Sequence, residues 1–197
     1  MHEPPPEPLR VLGIAGSLRR GSLNRGLLRA AIELAPDHMV ITPYEGLRAI
    51  PPYDGDVEAE GDPDPVADLK ARIRGADALL IVSPEYNYGI PGVLKNAIDW
   101  VSRPPRTSPL SHKPIAIMGA STGNFGTARC QLALRQTFHF TKSYVLIEPD
   151  VLVVRAAERF DDEGNLRDEA TREHVARLVE SLERWVRGLR AGAIIPD

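Results

Sequence analysis

The chain has 197 residues, of which 43% are hydrophobic and 26% are charged, so we predict one globular domain with a substantial core. Its formal net charge of -3, without a run of basic residues, argues against nucleic acid or an acidic membrane surface as a partner. Cys130 is the only cysteine, which excludes an internal disulfide and a cysteine-based metal cage.

Residues 1–8 form a proline-rich segment that lacks the basic start and the apolar stretch of a signal peptide. No later run is apolar over the roughly 18 residues that a membrane helix needs. We therefore expect a disordered N-terminus at residues 1–8, a single domain over 9–190, a C-terminal tail at 191–197 and a cytoplasmic location.

Five apolar runs have the length and composition of strands, at residues 9–15, 39–43, 78–83, 114–120 and 143–147. Segments with helical spacing lie between them and after the last one, at residues 23–35, 65–74, 93–101, 127–140 and 175–189. This alternation predicts a parallel sheet with helices on both faces. We predict a three-layer α/β fold whose five strands have the order 2-1-3-4-5.

In that strand order, a crevice opens at the carboxyl ends of the first and third strands, and ligands bind there. Three loops rich in glycine and polar residues would border the crevice: the first loop (16–24), the second loop (84–92) and the third loop (121–126). The proline-rich connections 44–64 and 103–112 are expected to be surface loops, which either rim the crevice or are simple insertions.

The first loop reads Gly-Ser-Leu-Arg-Arg-Gly-Ser-Leu-Asn and leads into a helix. Unpaired N–H groups and the helix dipole favour an anion there. Arg19 adds a charge, and Ser17, Ser22 and Asn24 add side-chain donors. Neither Gly-x-x-x-x-Gly-Lys-Ser/Thr nor Gly-x-Gly-x-x-Gly occurs, so a phosphate monoester or pyrophosphate is favoured over a triphosphate. Taken alone, the loop equally fits a Ser22 that only caps the helix and a solvated Arg19.

The second loop continues a buried strand into a helix, and residues 83–100 read Ser-Pro-Glu-Tyr-Asn-Tyr-Gly-Ile-Pro-Gly-Val-Leu-Lys-Asn-Ala-Ile-Asp-Trp. Its prolines make it rigid, and Tyr86 and Tyr88 offer aromatic surface beside the amide of Asn87. These groups suit a planar heterocycle with alternating donors and acceptors. The alternative is that the tyrosines pack and Asn87 completes a turn.

The two motifs together resemble the NAD(P)H-dependent FMN reductases, a flavodoxin-like family that includes quinone, chromate and azo-dye reductases. The resemblance implies a bound FMN whose phosphate lies on the first loop and whose ring lies against the second. The implied cofactor-binding residues are Ser17, Arg19, Ser22, Leu23, Asn24, Pro84, Glu85, Tyr86, Asn87, Tyr88, Ser121, Thr122 and Gly123. Family members usually read Ser-x-Gly-x-x-Gly-Gly in the third loop, whereas Thr127 stands here at the last glycine.

The resemblance also implies the reaction, in which a hydride passes from NADPH or NADH to the bound FMN. Quinones, azo compounds, metal oxyanions or free flavin are then reduced in a ping-pong cycle. Because the flavin carries this chemistry, we expect no catalytic side chain, and the five histidines share no metal-ligand spacing. Glu85 is expected to orient backbone or to meet a neighbouring subunit, and Arg106 is a candidate for a 2′-phosphate.

Self-association as a dimer or tetramer follows from the same resemblance, and Trp100 is expected either at an interface or in the core. A flavodoxin-type electron carrier for protein partners is the main alternative. Such carriers tend to be strongly acidic around the flavin, whereas this chain has Arg19 and Arg20 in the first loop and a mild net charge. A phosphoacceptor signalling domain would need carboxylates after the first strand, and residues 13–17 contain none.

Overall fold

A parallel β-sheet forms the centre of the computed structural model, which describes residues 7–192. The strand order is β2-β1-β3-β4-β5, as predicted, and β6 also pairs with β4. The strands are β1 (Leu9–Ala15), β2 (Met39–Pro43), β3 (Ala78–Val82), β4 (Pro114–Ala120), β5 (Tyr144–Val145) and β6 (Val151–Val153).

The fifth strand lies within the predicted range 143–147 but is shorter, and a sixth short strand, which was not predicted, shares that edge of the sheet. β5 pairs with Pro114 and Ile115 at the start of β4, and β6 pairs with residues 118–120 at its end. The connection between β5 and β6 contains Pro149, which has no N–H group to donate to a neighbouring strand. At three residues, β6 is too short for its alternation to stand out in the sequence.

Helices cover both faces of the sheet, at α1 (Leu23–Glu33), α2 (Gly55–Glu60), α3 (Asp64–Gly75), α4 (Gly92–Val101), α5 (Ala128–Phe140) and α6 (Glu169–Arg190). The connection 44–64, expected to be a loop, contains α2 and the 3-10 turn Gly46–Ala49. Helix α2 buries none of its residues, so the sequence carries no apolar periodicity there. No helix within residues 7–192 is both long enough and apolar enough to span a bilayer.

The core lies in two layers, one on each side of the sheet. Helices α1 and α6 pack on one face and α3, α4 and α5 on the other, and every residue of β3 is buried between them. Trp100 is 0% exposed in the second layer, where its Nε1 donates to the Pro51 carbonyl oxygen at 2.8 Å. This tryptophan therefore occupies a core position. The expected disordered N-terminus and the tail fall mostly outside the described residues.

Candidate functional site

The first, second and third loops meet at the carboxyl ends of β1, β3 and β4 and enclose a cavity of about 350 Å³. Ala120 lines the cavity together with ten of the thirteen residues predicted to bind a cofactor: Ser17, Arg19, Ser22, Leu23, Asn24, Pro84, Glu85, Tyr86, Ser121 and Thr122. Asn87, Tyr88 and Gly123 follow these residues in the second and third loops but do not line the cavity.

The start of α1 presents unused hydrogen-bond donors to the cavity. Ser22 occupies the N-cap position and is 6% exposed, yet its side chain makes no capping bond. Among the residues that the structure describes, the backbone N–H groups of Leu23 and Asn24 have no carbonyl partner. The alternative in which Ser22 serves only as a helix cap is therefore not observed. These donors at the positive end of a helix fit the phosphate of a nucleotide.

Two further polar side chains of the first loop, Arg19 and Asn24, have partners within the protein. The exposed guanidinium of Arg19 donates to the Gly21 carbonyl oxygen at 3.1 Å. The side-chain amide of Asn24, predicted to bind the phosphate, donates to the Ala120 carbonyl oxygen at 2.8 Å and accepts from the Ala120 N–H at 2.9 Å. A buried amide needs such partners, and these two bonds join α1 to the end of β4.

The second loop makes a tight turn that places two aromatic rings beside the cavity. Tyr86 and Gly89 exchange backbone hydrogen bonds of 3.1 and 2.9 Å, and the residues between them, Asn87 and Tyr88, have φ angles of 48° and 66°. Two left-handed central residues define a type I′ turn, in which asparagine is favoured and tyrosine is uncommon. The hydroxyls of Tyr86 and Ser17 lie 3.3 Å apart, so the second loop reaches the first across the cleft.

Glu85 attaches the second loop to the start of α5. Its carboxylate, with a side chain 6% exposed, accepts hydrogen bonds from the backbone N–H groups of Arg129 and Cys130 at 3.0 and 3.1 Å. It also accepts from Nε of Arg129 at 2.7 Å. The expectation that Glu85 orients backbone is confirmed. Its bonded carboxylate stabilises the loop at the positive end of α5.

Arg129 and Phe125, which the sequence analysis missed, extend this arrangement on the surface. The Arg129 guanidinium carbon lies 3.6 Å from the centroid of the Tyr88 ring and 4.7 Å from that of Phe125. Such distances are typical of cation–π contacts. The signal in the sequence was the carboxylate of Glu85 in the second loop. Its partner, Arg129, lies at the start of α5 and becomes apparent only in the folded chain.

Thr127 fills space inside the protein and leaves the cleft free. Its side chain is 0% exposed, and its Oγ1 accepts a hydrogen bond from Nε2 of Gln131 at 3.0 Å. A Cβ atom at Gly119 would lie 2.4 Å from this Oγ1 and 2.2 Å from the Ser83 carbonyl oxygen. Because Gly119 in β4 has no side chain, there is room beside it for Thr127, which stands where family members have the last glycine of the third-loop motif.

Strand β6 and the turn after it hold the third loop in position. The backbone bonds are Ser121 N–H to Val153 O at 2.9 Å, Ala156 N–H to Ser121 O at 3.0 Å and Arg155 N–H to Gly123 O at 3.0 Å. The strand that the sequence did not reveal is therefore part of the site's support.

Cys130 lies behind the second loop and is no candidate nucleophile. It is buried, its Sγ is 3.3 Å from Oγ of Ser83, and burial raises the pKa of its thiol to about 11. The thiol stays protonated at neutral pH. Over residues 7–192, no group of three or more His, Cys, Asp or Glu side chains is arranged to hold a metal ion.

Comparison with known proteins identifies the family. A model of the NADPH-dependent FMN reductases matches residues 9–158. An NAD(P)H-dependent FMN reductase of Pseudomonas aeruginosa is 50% identical over 182 residues, which cover 92% of this chain and 97% of that protein. A quinone reductase of Escherichia coli is 38% identical over 186 residues, covering 93% and 98%.

A solved structure gives the same result at the level of the fold. FerB, a flavoenzyme NAD(P)H:(acceptor) oxidoreductase from Paracoccus denitrificans, is 32% identical and aligns with a TM-score of 0.82 over 91% of this chain and 97% of FerB. Since both the sequence and the fold match along nearly the whole length of these reductases, the chain belongs to the NADPH-dependent FMN reductase family.

Proposed function

We propose that the three loops bind FMN and that the protein uses NADPH or NADH to reduce small-molecule acceptors. The observation that carries this proposal is the meeting of ten sequence-predicted residues in one cavity of a chain that belongs to the FMN reductase family. When bound, FMN supplies the redox chemistry, because it takes a hydride from reduced nicotinamide and passes electrons to an acceptor.

The chain's own residues bind and orient the cofactor. The free N–H groups at the start of α1, the hydroxyls of Ser17 and Ser22 and the charge of Arg19 hold the phosphate. The second loop offers its backbone and the ring of Tyr86 to the heterocycle, and the bonds of Glu85 to α5 keep that loop in place. Rigid support of this kind reduces the ordering cost of binding a cofactor.

We assign no proton transfer to a side chain of this site. The Glu85 carboxylate is committed to α5, and the Cys130 thiol is protonated at neutral pH. A site that positions a flavin without a dedicated acid or base accommodates several acceptors. We therefore propose quinones, azo compounds, metal oxyanions and free flavin as the acceptor class, in keeping with relatives named as quinone reductases. The comparisons favour this reductase function over the flavodoxin-type electron carrier.

An absorption spectrum of the purified protein tests the cofactor assignment. We expect an oxidised-flavin spectrum, release of FMN on denaturation, and oxidation of NADPH or NADH when a benzoquinone is added. Removing the FMN should abolish the activity, and adding FMN back should restore it. A colourless protein that also fails to bind added FMN would exclude the proposed function.

We also infer self-association through the outer face of α5. This helix carries buried apolar residues on its inner side, but Leu132 and Phe140 on its outer side are 67% and 75% exposed. Phe125 and Tyr88, in the third and second loops, are exposed at 67% and 70%. Large exposed apolar side chains are typical of protein interfaces, so we propose a dimer, or a tetramer of paired dimers. The cytoplasmic location stays a prediction, which cell fractionation can check.

A further inference from the structure

A second cavity, of about 660 Å³, lies on the other side of the first loop, at the carboxyl ends of β1 and β2. Arg20, Arg25, Arg29 and Arg48 contribute to its lining, with Glu45 as the one acidic residue. The whole chain has a net charge of -3, so this positive charge is a local feature. Four arginines against one carboxylate favour an anionic ligand, and arginine is well suited to phosphate.

The guanidinium groups of this cavity retain donors for such a ligand. Three of them are held by contacts within the protein: Arg25 with Glu45 at 2.6 Å, Arg48 with the Leu18 carbonyl oxygen at 2.9 Å, and Arg29 with the Gly164 carbonyl oxygen at 2.7 Å. Each guanidinium has five N–H donors, and these contacts use only some of them. The Arg20 guanidinium forms no hydrogen bond or ion pair with any residue in the described range 7–192.

Apolar side chains complete the cavity between α1 and the end of β2. Leu28 and Ile32 come from α1, and Pro43, Tyr44 and Leu47 come from β2 and the turn after it. Leu28, Tyr44 and Leu47 are buried, so the apolar surface that the cavity offers to a ligand comes from Ile32, which is 36% exposed, and from Pro43. An apolar wall beside several arginines suits a nucleoside that carries a phosphate, because the base can pack while the phosphate pairs with the guanidinium groups.

The second cavity adjoins the proposed FMN cleft. Ser17 lines both cavities, and the strand order places β1 between β2 on one side and β3 on the other. A molecule that extends from one cavity to the other therefore crosses the first loop. Reduced nicotinamide nucleotides have the required form, with a reacting ring at one end and an adenosine at the other.

We propose that the second cavity binds the adenosine end of NADPH, with its 2′-phosphate on Arg20 and the neighbouring arginines. This inference rests on the proposed function, since it requires the nicotinamide to reach the FMN cleft. NADH lacks the 2′-phosphate, so the arginines would set a preference for NADPH. Arg106, the candidate from the sequence, lies in the turn Pro105–Thr107 and does not line this cavity.

Direct binding of a fragment tests the cavity without the redox reaction. Adenosine 2′-monophosphate and adenosine 5′-monophosphate are titrated calorimetrically into wild type, Arg20→Glu and the control Arg177→Glu, an exposed arginine of α6 outside both cavities. We expect wild type and the control to bind the 2′-phosphate more tightly than the 5′-phosphate. Arg20→Glu should weaken binding of the 2′-phosphate by about tenfold or more, the loss expected for one charge-assisted hydrogen bond.

Kinetics of the FMN-loaded protein then test whether the phosphate bound in the second cavity is the 2′-phosphate of NADPH. Arg20→Ala should raise the KM for NADPH about tenfold more than the KM for NADH, and adenosine 2′-monophosphate should compete with NADPH. Equal changes for the two donors, binding of the fragment without competition, or fragment binding that is the same in wild type and Arg20→Glu would each overturn the proposal. FMN content and quinone reduction with NADH are measured in parallel, so failure of the proposed function is recognised separately.

Discussion

Ser22 stands at the start of α1 without the hydrogen bond that an N-cap serine normally makes. Replacing a capping serine by alanine usually costs about 0.5 to 2 kcal/mol of stability, because a backbone N–H loses its partner. Here that N–H has no side-chain partner to lose. The hydroxyl is therefore free for the cofactor phosphate, and its contribution should appear in FMN binding.

We predict that Ser22→Ala weakens FMN binding by about 1 kcal/mol and changes the stability of the FMN-free protein by less than about 0.5 kcal/mol. Fluorescence titration with FMN and urea unfolding measure the two quantities. Asp168→Ala is the matched control, because Asp168 does accept a capping bond, from the Thr171 N–H. It should lower stability by about 1 kcal/mol and leave FMN affinity unchanged. A Ser22→Ala protein with unchanged FMN affinity would remove Ser22 from the phosphate site.

At the scale of the elements, the carboxylate of Glu85 joins the second loop to α5. We predict that Glu85→Ala lowers the free energy of unfolding by about 2 kcal/mol, because two backbone N–H groups and Arg129 lose a charged partner. FMN affinity should fall as well, since the second loop loses its support. Urea unfolding and FMN titration measure both effects. Glu158→Ala, which removes a surface carboxylate 3.9 Å from Arg155, serves as the control and should have little effect. Unchanged stability in Glu85→Ala would contradict this role.

The free energy of unfolding depends on pH through Asp168, the N-cap residue of α6. The hydrogen bond from the Thr171 hydroxyl is the main cause that lowers the pKa of Asp168, and the Thr171 N–H and Arg159 act in the same direction, while desolvation opposes them. Because the pKa is lower in the folded state, this carboxylate stabilises the protein above its unfolded pKa of about 4 and loses its effect as pH falls through the folded pKa. The difference in unfolding free energy between wild type and Asp168→Asn should therefore be largest at pH 7, shrink as pH falls below about 4, and vanish below the folded pKa of Asp168. A difference that is the same at pH 7 and pH 3 would contradict this explanation.

The sheet edge shows which elements the sequence could predict. Strands β1, β2 and β4 have the predicted bounds because each is an apolar run that ends at a glycine, proline or polar segment. β5 and β6 are short and lie on one edge, where pairing with β4 decides which residues count as strand. Helix α2 was not predicted because it is short and buries none of its residues, so no apolar periodicity marks it in the sequence.

For the whole molecule, the exposed apolar face of α5 predicts the assembly state. Leu132→Glu should convert the proposed dimer to a monomer, because it places a charge on the surface that would be buried. Light scattering after size-exclusion chromatography measures the mass. Val57→Glu changes an exposed side chain of α2 and should leave the mass unaltered. A monomeric wild type, or a Leu132→Glu protein with unchanged mass, would contradict the interface.

The sequence by itself determined the strand order β2-β1-β3-β4-β5, the helices with an apolar face, and the three loops that form the cleft. Apolar periodicity, helix starts and glycine-rich turns act over a few residues, so they can be recognised without the fold. Only the tertiary structure decided that Thr127 packs against Gly119, that Glu85 bonds to α5, and that Asn24 pairs with Ala120 at the end of β4.

The arginine-lined cavity between α1 and the end of β2 also belongs to what the tertiary structure decided. Its residues come from the end of β1, the first loop, α1, β2 and the turn after β2, and no spacing in the sequence marks them as a group. Asn24 and Ala120 are 96 residues apart along the chain, and Glu85 and Cys130 are 45 residues apart. Such contacts exist only once the sheet has brought the ends of its strands together.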